Sequence, residues 1–311
     1  MTAFLFPGQG SQKVGMGRAL CDAFPVARAV FEEADAALGY AISKLCFEGP
    51  EEALTRTENG QPAILTTSIA ALRVLESETG IRPTIAAGHS LGEFSALVAA
   101  GAFSLADAVR VVHKRGRFMQ DAVPQGQGAM AAVLGLEGEP LAEACRQAAA
   151  EVGQVVSPAN YNGGGQVVIA GSTAAVERAC AVCKEKGAKK TIPLKVSAPF
   201  HCAMMAPAQT RLAEVLAGVS IGIMSIPVVT NVEATANQQS ERVRDLLIRQ
   251  VTAPVLWEQS VRAIAGMGIT RAVEVGHGSV LAGLVKRISP ELQVMSACDA
   301  ESVGALKTAW S

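Results

Sequence analysis

The residues most able to do covalent chemistry are Gly-His-Ser-Leu-Gly-Glu at positions 88–93. A short apolar segment at 84–87 precedes them, and a run of small residues at 91–100 follows. This order predicts a strand, a tight turn and a helix, the nucleophile elbow that lifts the hydroxyl of Ser90 above the end of a sheet. The N–H of Leu91 would lie at the helix start, facing developing negative charge. An ordinary glycine-flanked serine in a strand–helix loop is the alternative.

A serine hydroxyl needs a general base at neutral pH, and the chain has four histidines. His201 is the favoured base because it follows a proline-fixed segment where the chain should return to the main domain. His89 should point away from the serine, His113 is expected at the surface, and His277 lies in a glycine loop with a supporting role. No acid is evident downstream, so we expect a Ser-His dyad whose base is oriented by a backbone carbonyl or an amide.

A helix is predicted from a capping Ser104 to position 121. At 100° per residue, Arg115 falls on the apolar face with Met119, whereas the other basic residues of this helix face solvent. A buried guanidinium needs a partner. An internal salt bridge and a docking fork for a substrate carboxylate both remain open.

Composition excludes several classes of protein. The 311 residues are 50% hydrophobic but only 4% aromatic, which is typical of layered α/β proteins. A net charge of −1 gives no general attraction to nucleic acid or anionic membranes. No apolar run reaches the roughly 20 residues that span a bilayer, and the first residues lack a signal-peptide pattern. Seven scattered cysteines favour free thiols in a reducing cytoplasm, and Cys180-x-x-Cys183 is interpreted as structural rather than as a metal site.

The expected fold is α/β, with a large domain formed by 1–125 and 197–311 and a small domain at 126–196. In the small domain, strands are predicted at 129–136, 155–161, 166–170 and 189–196, and helices at 139–150 and 173–186. The order β-α-β-β-α-β is that of a ferredoxin-like arrangement.

The large domain should contain a parallel sheet. Its strands are predicted at 2–6, 84–87, 226–230, 269–275 and 294–297. Helices are expected at 17–24, 26–38, 51–54, 61–78, 91–100, 104–121, 203–216, 240–251 and 257–265, with one opened by residues 276–279 and another at the C-terminus. The glycine-rich loop at 7–12 follows the first strand, where α/β sheets place ligand sites, and Pro62 should occupy the first turn of its helix.

Five motifs occur in an order and spacing that resemble one family. They are Phe-Pro-Gly-Gln-Gly-Ser-Gln at 6–12, the elbow at 88–93, Lys-Arg-Gly at 114–116, Ala-Pro-Phe-His at 198–201, and Val-Gly-His-Gly-Ser-Val-Leu at 275–281. The chain resembles the malonyl-CoA:acyl carrier protein transacylases over essentially its whole length. The resemblance implies a large α/β-hydrolase-like domain with an inserted ferredoxin-like domain.

The resemblance also implies a role for individual residues. Ser90 would carry malonyl as an ester, His201 would be its base, and the N–H groups of Gln9 and Leu91 would form the oxyanion hole. Arg115 would pair with the malonyl carboxylate, and a backbone carbonyl near Gln250 would steady the histidine. The remaining expected substrate-binding residues are Gln61, Gln250, Phe200, Met119, Asn160 and Asn162. Phe200 would disfavour branched acyl groups, and His277 stands where proline is common in the family.

The implied activity is ping-pong transfer of malonyl from malonyl-CoA to the phosphopantetheine thiol of acyl carrier protein, for fatty acid synthesis. It needs no metal or cofactor beyond the CoA thioester and suits a cytoplasmic monomer without nucleic-acid or membrane partners. Lysines of the small domain would attract CoA phosphates and an acidic carrier protein. They are Lys184, Lys186, Lys189, Lys190 and Lys195. Ordinary solvated charges at the end of a helix would account for these lysines equally well. The alternatives are a trans-acting polyketide acyltransferase, an editing acyl hydrolase, a lipase or esterase, and a non-catalytic docking module.

Overall fold

The computed structural model describes residues 1–196 and 198–310. The strands, in chain order, are β1 (Thr2–Phe6), β2 (Ile85–Gly88), β3 (Gly128–Leu134), β4 (Val156–Gly163), β5 (Gln166–Ser172), β6 (Lys190–Pro193), β7 (Val228–Val229), β8 (Ala236–Asn237), β9 (Arg271–Val275) and β10 (Gln293–Ala297).

The helices of the same ranges are α1 (Arg18–Ala23), α2 (Pro25–Leu38), α3 (Ile42–Glu48), α4 (Glu51–Thr55), α5 (Thr57–Thr79), α6 (Leu91–Ala99), α7 (Leu105–Asp121), α8 (Gly138–Val152), α9 (Thr173–Glu185), α10 (Ala206–Ala217), α11 (Val243–Gln250), α12 (Trp257–Gly266), α13 (Val280–Ile288) and α14 (Ala300–Trp310). Short 3₁₀ turns at Ala203–Met205 and Ser240–Arg242 precede α10 and α11. None of these helices is both long enough and apolar enough to cross a membrane.

The larger sheet has the order β10-β9-β1-β2-β7-β8. Strand β1 pairs in parallel with β2 on one side and β9 on the other. Strand β9 also pairs in parallel with β10, and β2 with β7, whereas β8 is antiparallel to β7. Residues 3–6 of β1 are fully buried because apolar side chains pack on both faces of the strand. The prediction of an α/β fold with a parallel sheet is confirmed, and the carboxyl ends of β1 and β2 lie side by side.

The smaller sheet has the order β4-β5-β3-β6, with antiparallel pairing throughout. Helices α8 and α9 pack on it around a separate apolar core that includes Val133, Leu141 and Ile169. The hairpin between β4 and β5 turns at positions 164–165, two glycines with φ of 62° and 75°. The predicted boundary residue Ser197 and the last residue, Ser311, lie outside the described residues.

Pro62 does not open its helix as predicted. Helix α5 begins at Thr57 and contains Pro62 in its interior. Proline lacks the N–H that would bond to the carbonyl of Glu58, one turn earlier. His113 of α7 occupies that carbonyl instead, with Nδ1 at 2.9 Å. His113, predicted at the surface on the flank of its helix, is half-buried there, and its ring serves this contact.

Several other boundaries differ from the predictions. Strand β6 ends at Pro193, so residues 194–196 leave the sheet, and β7 is reduced to two residues. Helix α3 and strand β8 were not predicted, because each is short and has few buried side chains. Helix α3, for example, buries only Ile42 and Cys46.

Candidate active site

The turn between β2 and α6 holds Ser90 in a strained conformation, with φ 51° and ψ −103°. The flanking glycines are sterically required. A Cβ atom on Gly88 would lie 1.9 Å from the carbonyl carbon of Gly92, and one on Gly92 would lie 2.0 Å from the carbonyl oxygen of Phe6. Any side chain at either position would push α6 away from the sheet. The predicted strand, tight turn and helix are all present.

Asn231, which follows β7, holds the elbow from the opposite side. Its Oδ1 accepts a hydrogen bond from the N–H of Ser90 at 2.7 Å, and its Nδ2 donates to the carbonyl of Gly88 at 2.7 Å. Sequence reasoning did not assign Asn231 to the site. The available signal was its place at the carboxyl end of a buried strand, where α/β sheets carry functional residues.

His201 lies 2.7 Å from the serine, measured from Nε2 to Ser90 Oγ. Its Nδ1 lies 2.9 Å from the carbonyl oxygen of Gln250 and must donate to it, because a carbonyl only accepts. Nε2 is then free to accept the serine proton. Burial, with the positive charge of Arg115, lowers the pKa of His201 to about 3, so the imidazole is neutral at physiological pH. A backbone carbonyl thus orients the base.

Arg115 of α7 is 1% exposed and points at the same serine. Its guanidinium donates to Gln61 Oε1 at 2.7 Å, to Gln250 Oε1 at 2.9 Å and to Ser90 Oγ at 3.1 Å. Within the part of the chain that the structure describes, the buried Nε has no hydrogen-bond partner. Burial lowers the pKa of Arg115 to about 10, which leaves it charged at neutral pH. Among residues 1–196 and 198–310 no carboxylate forms a direct ion pair with it, although the buried carboxyl of Glu93 offsets part of this lowering of its pKa.

These groups meet in a cavity of about 350 Å³ between the two sheets. Its lining contains nine of the residues predicted for the site: Gln9, Gln61, Ser90, Leu91, Arg115, Met119, Asn160, Phe200 and His201. Two predicted lining residues lie elsewhere. Gln250 is fully buried behind Arg115. Asn162 is bonded to the wall residue His89, with its Oδ1 at 2.9 Å from His89 Nε2, and does not itself line the cavity.

Sequence reasoning missed part of the cavity wall. Met130 of β3 lines it, as do residues 194–196, which follow the early end of β6. Among the five lysines considered for the cleft, Lys195 is in this wall, whereas Lys186 pairs with Glu143 at 3.7 Å. His277 is half-buried outside the wall, and its pKa is lowered by burial and by Lys13.

A metal site would need several His, Cys, Asp or Glu side chains close together. In the described part of the chain, no three His, Cys, Asp or Glu side chains are grouped closely enough to hold an ion. Burial raises the pKa of Cys183 in α9 to about 11, so this thiol stays protonated at neutral pH.

A family model described as an acyl transferase domain matches residues 3–309. The chain belongs to this family. Malonyl CoA-acyl carrier protein transacylase of Escherichia coli K12 is 51% identical over 286 residues, which cover 92% of each chain. The protein of the same name from Bacillus subtilis 168 is 48% identical over 301 residues, covering 97% of this chain and 94% of that one. The predicted resemblance and the assignment as an acyltransferase are confirmed.

Solved structures show the same likeness. The malonyl CoA-acyl carrier protein transacylase of Coxiella burnetii superposes with a TM-score of 0.96 at 41% identity, covering 99% of this chain and 96% of that one. A complex of a type II PKS acyl-carrier protein with its malonyl-transacylase contains a chain that matches with a TM-score of 0.95 at 46% identity, covering 98% of both.

Proposed function

We propose that this acyltransferase moves malonyl from malonyl-CoA to the phosphopantetheine thiol of acyl carrier protein, in fatty acid synthesis. The observation that carries the proposal is the 3.1 Å contact between the Arg115 guanidinium and Ser90 Oγ inside one cavity. In malonyl, a single methylene separates the thioester carbonyl from the carboxylate. A nucleophile beside a buried cation therefore matches both ends of this acyl group. The names of the relatives that share about half of its residues support the same activity.

The first half-reaction loads the serine. Ser90 Oγ attacks the thioester carbonyl carbon while His201 Nε2 takes the hydroxyl proton. The resulting oxyanion accepts hydrogen bonds from the N–H groups of Gln9 and Leu91, the latter at the start of α6 where the helix dipole favours negative charge. Collapse of the tetrahedral intermediate breaks the carbon–sulfur bond, and His201 returns its proton to the departing CoA thiolate. The products are a malonyl ester on Ser90 and free CoA.

The second half-reaction reverses the first with a new thiol. His201 takes the proton of the carrier protein's pantetheine thiol as its sulfur attacks the ester carbonyl carbon. The carbon–oxygen bond then breaks, and the proton passes to Ser90 Oγ. The steps use the dyad, the two N–H groups and Arg115, with the CoA thioester as substrate and no metal or further cofactor.

We also propose a division of the fold into two domains. Residues 1–125 and 197–311 form an α/β-hydrolase-like domain, supported by the parallel sheet and the elbow between β2 and α6. Residues 126–196 form a ferredoxin-like domain, supported by the strand order β4-β5-β3-β6 with two helices. We infer that the protein acts as a monomer in the cytoplasm.

The alternatives fit the site less well. An editing hydrolase for neutral acyl groups, or a lipase or esterase, would gain nothing from a guanidinium that is 1% exposed and aimed at the nucleophile. A docking module needs no serine at 2.7 Å from a neutral histidine. A polyketide acyltransferase would use the same chemistry, and the names of the relatives favour the malonyl transacylase.

Intact-protein mass spectrometry after mixing with malonyl-CoA tests the proposal. We expect a malonyl adduct on the parent, none on Ser90→Ala, and loss of the adduct when holo acyl carrier protein is added. An unmodified parent, or an adduct that persists on Ser90→Ala, would contradict it. Adduct loss in buffer as fast as with the carrier protein would indicate a hydrolase.

A further inference from the structure

Glu93 belongs to the elbow motif, yet the mechanism above does not use it. It lies in the first turn of α6 and is 2% exposed. A single oxygen, Oε2, accepts hydrogen bonds from Gln250 Nε2 at 2.7 Å and from the N–H of Asn231 at 3.1 Å. One buried oxygen thus contacts two residues that hold the catalytic groups.

Gln250 is the more informative of these two contacts. Its Oε1 accepts from Arg115 at 2.9 Å, its carbonyl accepts from His201 at 2.9 Å, and its Nε2 also donates to the carbonyl of Ser90 at 3.0 Å. If the side-chain amide were rotated by half a turn, its NH₂ group would face the guanidinium of Arg115, donor against donor. The orientation of this amide therefore determines whether Arg115 is held in place.

We propose that Glu93 is a positioning residue for recognition of the malonyl carboxylate: its Oε2 atom fixes the Gln250 amide with the amide oxygen towards Arg115. The inference rests on the proposed function. Glu93 does not touch the cavity that Ser90 lines, so it acts through Gln250 and, by the same oxygen, through Asn231.

The geometry of the hydrogen-bonding oxygen carries this inference, and the carboxyl of Glu93 also interacts electrostatically with Arg115. Both contacts of Glu93 are made by Oε2, which leaves Oε1 available to carry a proton. Burial raises the pKa of Glu93 to about 7, so the neutral acid is well populated at neutral pH. Glutamine has the same shape and also offers one acceptor oxygen. Glu93→Gln should therefore keep the Gln250 amide in place, whereas the apolar Glu93→Met should release it.

The test measures kcat/KM for loading from malonyl-CoA and from acetyl-CoA in the parent, Glu93→Gln and Glu93→Met. Leaving a buried donor such as Gln250 Nε2 without its acceptor costs about 1–3 kcal/mol, so we expect Glu93→Met to lose about tenfold or more of the preference for malonyl. Glu93→Gln should stay within about threefold of the parent. The matched control is Ser95→Ala on the same helix, which removes a buried hydroxyl without a hydrogen-bond partner.

Two results would overturn the inference. One is a folded Glu93→Met with the parent's malonyl preference, which would leave Glu93 a packing role. The other is a Glu93→Gln variant as unselective as Glu93→Met. If the Met variant does not fold, Glu93→Asp replaces it in the test, because aspartate is one methylene shorter and its carboxylate oxygen cannot reach as far. Loss of the malonyl preference in Glu93→Asp would support the inference. A malonyl preference like that of the parent would refute it. A parent that forms no malonyl adduct would instead refute the proposed function.

Discussion

Replacing Arg115 with methionine should convert a selective malonyl-loading site into an unselective and slow one. Methionine is unbranched and apolar, so it fills much of the same space without the positive charge. In the parent, the guanidinium donates to Gln61, Gln250 and Ser90, and the malonyl carboxylate is expected to accept from it in two places.

The magnitude follows from those contacts. Two charge-assisted hydrogen bonds at about 1.5 kcal/mol each amount to about 3 kcal/mol, or a loss of about 100-fold in kcat/KM for malonyl-CoA. Acetyl-CoA has no carboxylate, so its loading should change by less than about tenfold. The ratio of the two donors should therefore fall by at least about tenfold.

The assay is single-turnover loading followed by intact-protein mass, with each donor, on the parent and Arg115→Met. Lys114→Met is the matched control, because its side chain is exposed on the same helix and does not line the cavity. Thermal unfolding of each variant verifies that the protein is folded. Equal losses for malonyl-CoA and acetyl-CoA in a folded Arg115→Met would refute the assignment of Arg115 to the carboxylate.

Three further predictions concern the elbow and its surroundings. In Glu93→Gln, which lacks the nearby carboxyl whose pKa is raised to about 7, labelling of Ser90 by a neutral fluorophosphonate should show no inflexion near pH 6.5 between pH 5 and 8, since the pKa of His201 is lowered to about 3; a histidine-like inflexion in this variant would contradict this. Gly92→Ala should abolish labelling and lower the thermal midpoint, because its Cβ would lie 2.0 Å from the Phe6 carbonyl oxygen, and a labelled, stable variant would argue against the close approach. Urea unfolding at pH 5 and pH 8 should show that the free energy of unfolding of the parent falls by up to about 3 kcal/mol relative to Glu93→Gln as pH rises. The reason is that burial raises the pKa of Glu93 from 4.5 to about 7, so its ionisation opposes folding. Parallel pH dependences of the two proteins would refute this.

The sequence specified the elbow well because its determinants are local. Two glycines, a serine and the apolar segment before them lie within a few residues of each other, and the steric need for Gly88 and Gly92 holds in any such turn. Arg115 was placed on the buried face by helical periodicity alone. The partners of Arg115 could not be predicted in the same way, because an internal salt bridge and a docking fork for a carboxylate are compatible with the same sequence pattern.

Some contacts between residues distant in sequence were not predicted. Asn231 meets Ser90 across 141 positions, and Gln250 meets Glu93 across 157, so only the packing of the sheet reveals these contacts. Pro62 illustrates the same limit in the fold. Inside α5, Pro62 leaves the carbonyl one turn earlier without its helical donor, and a histidine of α7 bonds to that carbonyl instead. Local rules for helix starts do not include a contact with another helix.

The early end of β6 has a consequence for how the enzyme could diversify. The proposed carboxylate site, with Arg115 and Gln61, is carried by helices of the larger domain. Met130, Asn160 and Leu194 contribute cavity wall from the smaller sheet and the segment after it. Part of the cavity volume is thus set by a structural unit that does not carry Arg115. Substitutions in the smaller sheet would resize the acyl chamber while the dyad geometry stays unchanged, so the range of acyl groups accepted and the catalytic power could evolve independently.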